Sequence, residues 1–109
     1  MKDDVMQRVA FKMKLSKGKE AEYKKRHDEI WPELKSLLKA TGIEDYSIFF
    51  DEETNVLFGV LKVGDEAKLD ELPDHPVMRK WWGYMKDIME TNKDNSPISI
   101  RLKEVFYLR

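Results

Sequence analysis

EDYSIFFDEETNVLFGVLKV, Glu44 to Val63, holds two apolar segments on either side of a polar connection. In the first, Tyr46, Ile48 and Phe50 alternate with Asp45, Ser47 and Phe49; the polar residues Asp51 to Asn55 follow, and Val56 to Val63 is again apolar. Alternation at a period of two around a turn-forming bridge predicts a β-hairpin. Its strands carry apolar side chains on both faces, Phe49, Phe58 and Val60 opposing Ile48, Phe50, Leu57 and Leu61. A sheet apolar on both sides needs two covers. Helices of the same chain can supply one, and a second copy of the chain is the simplest source of the other.

Working outward, Val5 to Leu15 alternates as a strand with Val5, Gln7, Val9, Phe11, Met13 and Leu15 on one face and Arg8, Lys12 and Lys14 on the other. Ser16-Lys17-Gly18 breaks that pattern, and Glu20, Tyr23, His27 and Ile30 or Trp31 recur at helical spacing. Pro32 disfavours helix at Trp31 and clashes with the carbonyl of Asp28, so the helix should bend or restart there. It then runs over Leu34, Leu37 and Leu38 to Gly42, a suitable C-terminal stop. Downstream of the hairpin, Gly64-Asp65 opens a second helical region through Leu69 and Leu72, broken by Pro73 and Pro76 and resumed from Val77 to Met89. Asn92 to Pro97 is a turn, and Ile98 to Leu108 alternates as a last strand. The order βαββαβ is the ferredoxin-like α+β motif, an antiparallel sheet with its helices on one face. One domain is expected across residues 1–109, paired with a second copy as a dimeric α+β barrel.

Composition narrows the chemistry. The 109 residues include 20 Lys plus Arg against 21 Asp plus Glu, a net charge of −1, which gives no basic excess for a nucleic acid. The run Lys24-Lys25-Arg26 is flanked by Glu20, Glu22, Asp28 and Glu29 and reads as a solvated helix face. Cysteine is absent, which removes disulfides and thiolate chemistry and fits a reducing compartment. No apolar run approaches the roughly 20 residues of a membrane span. Acids stand where a secretory signal would be apolar in MKDDVMQRV, so a cytoplasmic address is expected, without membrane partners.

His27 and His75 are the two histidines, with no second histidine at metal-ligand spacing, and Asp51-Glu52-Glu53 lacks the alternating ligand pattern of a calcium loop. No metal and no cofactor are expected; phosphate-loop, nucleophile-elbow and dinucleotide motifs are missing too. His27 is the candidate general acid or base because imidazole titrates near neutrality. Tyr23, one turn earlier, shares its face. That spacing describes equally a histidine packed beside a tyrosine. Trp81 and Trp82 project about 100° apart on a helix, so both do not comfortably face one core and one of them is a candidate to line a pocket, where an indole can stack on a sugar ring; two core tryptophans fit the same pattern. Tyr46 is an amphipathic ring on a strand.

Taken together, Tyr23-x-x-Arg26-His27-x-x-Ile30-Trp31-Pro32-Glu33, Tyr46, Trp81-Trp82-x-Tyr84-Met85, Asn92-x-Asp94-Asn95-Ser96-Pro97 and Glu104-Val105-Phe106-Tyr107-Leu108 closely resemble the L-rhamnose mutarotase family. The resemblance implies a homodimeric isomerase that interconverts the α and β anomers of L-rhamnose without metal or cofactor. It assigns the proton donor to His27 and sugar binding to Tyr23, Tyr46, Trp81 and Trp82. The stretch Asp65 to Met78, with His75, matches least well. Two alternatives share the architecture: a non-catalytic sugar-binding dimer, and a haem-binding monooxygenase-like protein with His27 or His75 as axial ligand.

Overall fold

The computed structural model describes residues 6–109. The expected strand position at Val5, and most of the segment read for a leader, lie outside the described residues. The elements run β1 (Gln7–Lys14), α1 (Glu20–Asp28), α2 (Pro32–Ala40), β2 (Ile43–Asp51), β3 (Val56–Val63), a 3₁₀ segment (Glu66–Asp74), α3 (Pro76–Met85), a short 3₁₀ turn (Lys86–Ile88) and β4 (Ile100–Leu102). The four strands form one antiparallel sheet in the order β2-β3-β1-β4, the ferredoxin-like arrangement expected from the sequence.

Pro32 restarts the helix as anticipated. Trp31 is extended (φ −61°, ψ 134°) as the N-cap of α2, and Pro32 occupies the first turn, where its missing N–H has no helical partner to lose. Gly42 follows α2 at φ 95°, a left-handed conformation that closes helices at little cost for glycine. The second helical region is tighter than its pattern implied: Glu66–Asp74, with Pro73 inside it, is 3₁₀, and α3 begins at Pro76. Met89 lies beyond the helix and bridges Leu15.

The register assigns the two faces of the sheet. On one, Ile48, Gly59, Phe11 and Arg101 lie in a row across all four strands, next to Phe50, Leu57 and Met13. The helices cover this face, and Met13, Leu15, Tyr23, Leu34, Leu57, Met78, Trp81, Met85, Ile88 and Met89 form its main core. Val9, Ile43, Leu61 and Val63 form a second cluster toward the start of β1. Burying a leucine such as Leu34 or Leu57 contributes about 1.5–3 kcal/mol. The opposite face carries the rows Phe49–Phe58–Lys12–Ile100 and Ser47–Val60–Ala10–Leu102. Phe49 is 62% exposed there and Ile100 55%.

Two further expectations are corrected. The last strand, expected over Ile98 to Leu108, is confined to Ile100–Leu102. It lies at the sheet edge with β1 as its neighbour, and beyond it Arg8 takes Glu104 as an ion pair at 3.1 Å and covers the Tyr107 ring at 3.3 Å in place of a backbone ladder. Alternation alone supplied no second neighbour to pair with. The other correction concerns Arg26, whose side chain is 11% exposed and held by several acceptors rather than solvated. Among the described residues, no helix is long and apolar enough to cross a membrane. The Asp51 carboxylate at the hairpin tip accepts from the Glu53 amide at 3.0 Å and the Thr54 hydroxyl at 2.8 Å, bonds that hold its pKa below the ordinary value and make it a turn brace.

Candidate active site

Between the sheet and the helices lies a cavity of about 920 Å³, within the size range of small-molecule sites. Its floor is the covered sheet face, including Phe11, Ile48, Phe50 and Leu57; α1 contributes Tyr23 and His27, α3 contributes Trp81 and Trp82, and Tyr46 enters from β2. The floor depends on Gly59. Any Cβ there would stand within 3.0 Å of the Phe11 ring, so glycine is what lets that ring lie across β3. Phe11 in turn meets Tyr46 edge-on, with centroids 6.2 Å apart.

A register shift between Glu44 and Ser47, with Asp45 at φ 51°, bends β2 next to Tyr46. Bulges of this kind re-aim neighbouring side chains. Tyr46 as a residue is 39% exposed, yet it lines the cavity and loss of solvation pushes its phenol pKa up to about 12. Tyr23 is buried, and burial first, then the neighbouring Tyr46 phenol, raises its pKa further above the ordinary value. Both phenols therefore keep their protons at neutral pH and are available as hydrogen-bond donors.

His27 is held on two sides. Its ring stacks on Tyr23 at 4.2 Å and meets the Trp81 ring edge-on at 5.4 Å. Nδ1 is 3.0 Å from the Tyr23 carbonyl oxygen. A carbonyl oxygen can only accept, so Nδ1 carries the hydrogen and, in the neutral ring, the free lone pair is on Nε2. Burial lowers the His27 pKa below 6.5, outweighing the opposing effects of that carbonyl bond and of the Asp28 charge. The imidazole is accordingly neutral at pH 7, with a base at Nε2.

Trp81 also meets Trp31 at 5.1 Å and Tyr84 at 5.6 Å, so it is both a core residue and a wall of the cavity. Trp82 is half-buried and lines the cavity too, so both indoles reach it although they project apart on α3. His75 is exposed at the N-cap of α3 and is not among the lining residues. The Asn92–Ser96 turn, closed by Asn92 Nδ2 donating to Ser96 Oγ at 3.0 Å, brings Ser96 and Pro97 to the rim beside Ser99 and Arg101. The sequence marked Ser96 and Pro97 only as part of a turn and of the family motif, and gave no site role to these rim residues or to the Phe11–Gly59 floor. Glycine inside an apolar strand was the available signal for the latter.

A sequence model described as L-rhamnose mutarotase matches residues 8–108. The chain belongs to the L-rhamnose mutarotase family. The protein named L-rhamnose mutarotase in Brucella anthropi is 60% identical over 102 residues, covering 94% of this chain and 96% of that one. Its namesake in Flavobacterium johnsoniae is 60% identical over 101 residues, covering 93% and 94%. The crystal structure of L-rhamnose mutarotase from Formosa agariphila superimposes with a TM-score of 0.88 at 54% identity, covering 94% of this chain and 99% of that chain. All five residues that the family resemblance marked, Tyr23, His27, Tyr46, Trp81 and Trp82, line the same cavity.

Proposed function

We propose that this chain interconverts the α and β anomers of L-rhamnose by general acid–base catalysis in the cavity around His27. The observation that supports the mechanism is the pairing of His27 Nδ1 with the Tyr23 carbonyl, which leaves the lone pair of the second ring nitrogen free to take a proton. In ring opening, Nε2 takes the proton of the C1 hydroxyl, the O1 electron pair forms the aldehyde carbonyl, the bond between C1 and the ring oxygen breaks, and that oxygen takes a proton from a phenol or water. Rotation about the C1–C2 bond presents the other face of the aldehyde. Closure reverses the transfers: the C5 hydroxyl gives up its proton as it attacks C1, and the new O1 receives one from the imidazolium. Tyr23 and Tyr46 donate to sugar oxygens, and Trp81 and Trp82 supply apolar faces for its C–H surface.

The chemistry asks for neither electrons nor a covalent adduct, so no cofactor or metal is assigned. We assign the enzyme to the cytoplasm, consistent with a chain that has no cysteine, and treat residues 1–109 as one domain, supported by a family match over 8–108. We also assign a homodimer, closed through the sheet face that bears Phe49 and Val60.

Saturation transfer between the two anomeric protons of L-rhamnose tests the activity. Exchange should accelerate in proportion to protein concentration. Binding of the sugar with exchange at the buffer rate would leave a non-catalytic sugar-binding module and overturn the proposal.

A further inference from the structure

Arg26 precedes His27 on α1, and its guanidinium is turned onto the end of α3. Nε donates to Glu22 Oε2 at 2.7 Å, Nη1 to the Tyr84 carbonyl at 2.7 Å, and Nη1 and Nη2 to the two Asp87 oxygens at 2.9 and 3.2 Å. The guanidinium carbon also lies 4.5 Å from the Tyr84 ring centroid. Three acceptors and an aromatic face thus use a planar fork that lysine lacks.

The spacing explains why this concerns the site. Glu22 and Arg26 are each one residue before Tyr23 and His27, so the same turn of α1 carries the cavity-lining pair on one side and the anchor on the adjacent side. Tyr84 relays the anchor, since its ring lies 5.6 Å from Trp81, which in turn stands edge-on to His27 at 5.4 Å. Among the described residues, the His27 ring has the Tyr23 carbonyl, within its own helix, as its hydrogen-bond partner. The side-chain hydrogen bonds found between α1 and the Tyr84–Asp87 segment all come from Arg26. We infer that Arg26 is a positioning residue: by fastening α1 to the end of α3 it fixes the His27 ring against Trp81, without contacting the sugar. Its expected effect on rate rests on the proposed function; its effect on the ring does not.

The test compares Arg26→Lys, which keeps the charge but lacks the planar fork that reaches Glu22, the Tyr84 carbonyl and both Asp87 oxygens, with the unaltered protein. Tyr23 and Trp81 shift the His27 ring-proton resonances by their ring currents, so these signals should move in the sugar-free variant. Its kcat should fall about 10- to 100-fold with KM little changed, as expected for a misplaced catalytic group. Arg26→Lys combined with His27→Ala should be no slower than His27→Ala alone. A folded Arg26→Lys protein with unmoved His27 signals overturns the inference, as does a rate loss that adds fully to that of His27→Ala. If Arg26→Lys does not fold, Asp87→Asn, at an exposed position, is read the same way; it should move the His27 signals in the same direction by less, and unmoved signals overturn the inference. Should the unaltered protein show no anomer exchange, the functional proposal fails, while the ring signals still decide the role of Arg26.

Discussion

The His27 ring donates from Nδ1 to the Tyr23 carbonyl oxygen at 3.0 Å while stacking on the Tyr23 ring at 4.2 Å. One residue thus supplies its neighbour, a turn later, with both a tautomer and an orientation. The backbone acceptor persists when the ring is protonated, so imidazole and imidazolium can occupy one position through a proton-transfer cycle.

Replacing His27 by alanine should lower catalysed anomer exchange by about 10²- to 10⁴-fold, the usual scale of general acid–base catalysis. Fold should survive, since the residue is half-buried and its hydrogen bond stays within one helix. His75→Ala is the control and should leave exchange unchanged. Full activity in the His27→Ala protein would move the proton transfer to another group.

Exchange should also respond to pH with a defined sign. Burial places the His27 pKa below 6.5, and the neutral ring is the base, so the rate should hold at neutral pH and fall on acidification through that lowered pKa. The same shift acts on stability. The unfolded chain protonates this histidine first, so its contribution is complete above about pH 6.5 and is lost as pH falls from there to the folded-state pKa. An NMR titration of the His27 ring protons, alongside the rate, checks both; a ring that titrates above 6.5 would contradict the burial argument.

Trp82→Ala should weaken sugar binding with a small effect on melting temperature, because this ring is half-buried. Trp81→Ala should lose both, with a stability cost of about 3–5 kcal/mol for emptying a buried aromatic position. Sugar titration and thermal melts separate the two, and unchanged affinity in both variants would remove the indoles from the binding site.

The strands and helix breaks were legible because they depend on local spacing and on proline. Pro32 stops one helix and begins another, and the alternation from Tyr46 to Phe50 sets the inward face of β2. Arg26 was misread because its nearby charges suggested a solvated face, whereas Asp87, which captures it, is 61 residues away. The tail after Leu102 was misread for the converse reason: its pattern is strand-like, but a ladder requires a neighbour, and no local pattern reports one. The site residues came from family resemblance. Spacing alone paired Tyr23 with His27 but could not bring Tyr46 or the indoles to them.

Gly59→Ala tests the floor of the cavity. The added methyl must displace the Phe11 ring, and through it Tyr46, so stability should fall by about 1–3 kcal/mol, as for other overpacked cores. Sugar affinity should fall with it. Gly18→Ala is a control for backbone strain alone, since Gly18 has φ 79° but no atom within 4 Å of the place an added methyl would take. Equal affinities in the two variants would show that Phe11 and Tyr46 can move without consequence for the sugar.

The outer sheet face leads to the prediction on assembly. Phe49 pairs with Phe58, and Val60 with Ala10, in adjacent rows that also hold Ile100 and Leu102. Scattered exposed apolar residues are ordinary, but here Phe49, Phe58, Val60, Ala10, Ile100 and Leu102 share one face across four strands, with Lys12 and Ser47 the polar members of their rows, and a patch of this kind is the mark of a contact surface. A twofold pairing of identical faces is self-complementary and leaves none of the patch over, whereas a head-to-tail contact would continue into a larger ring or an open filament. Sedimentation at micromolar concentration should therefore give about 26 kDa, twice the 13.0 kDa chain. Phe49→Asp places a charge at the most exposed aromatic of the face and should shift the protein toward 13.0 kDa while the cavity-side core remains folded. A monomeric unaltered protein, or a Phe49→Asp protein that stays fully dimeric, would exclude this face as the interface.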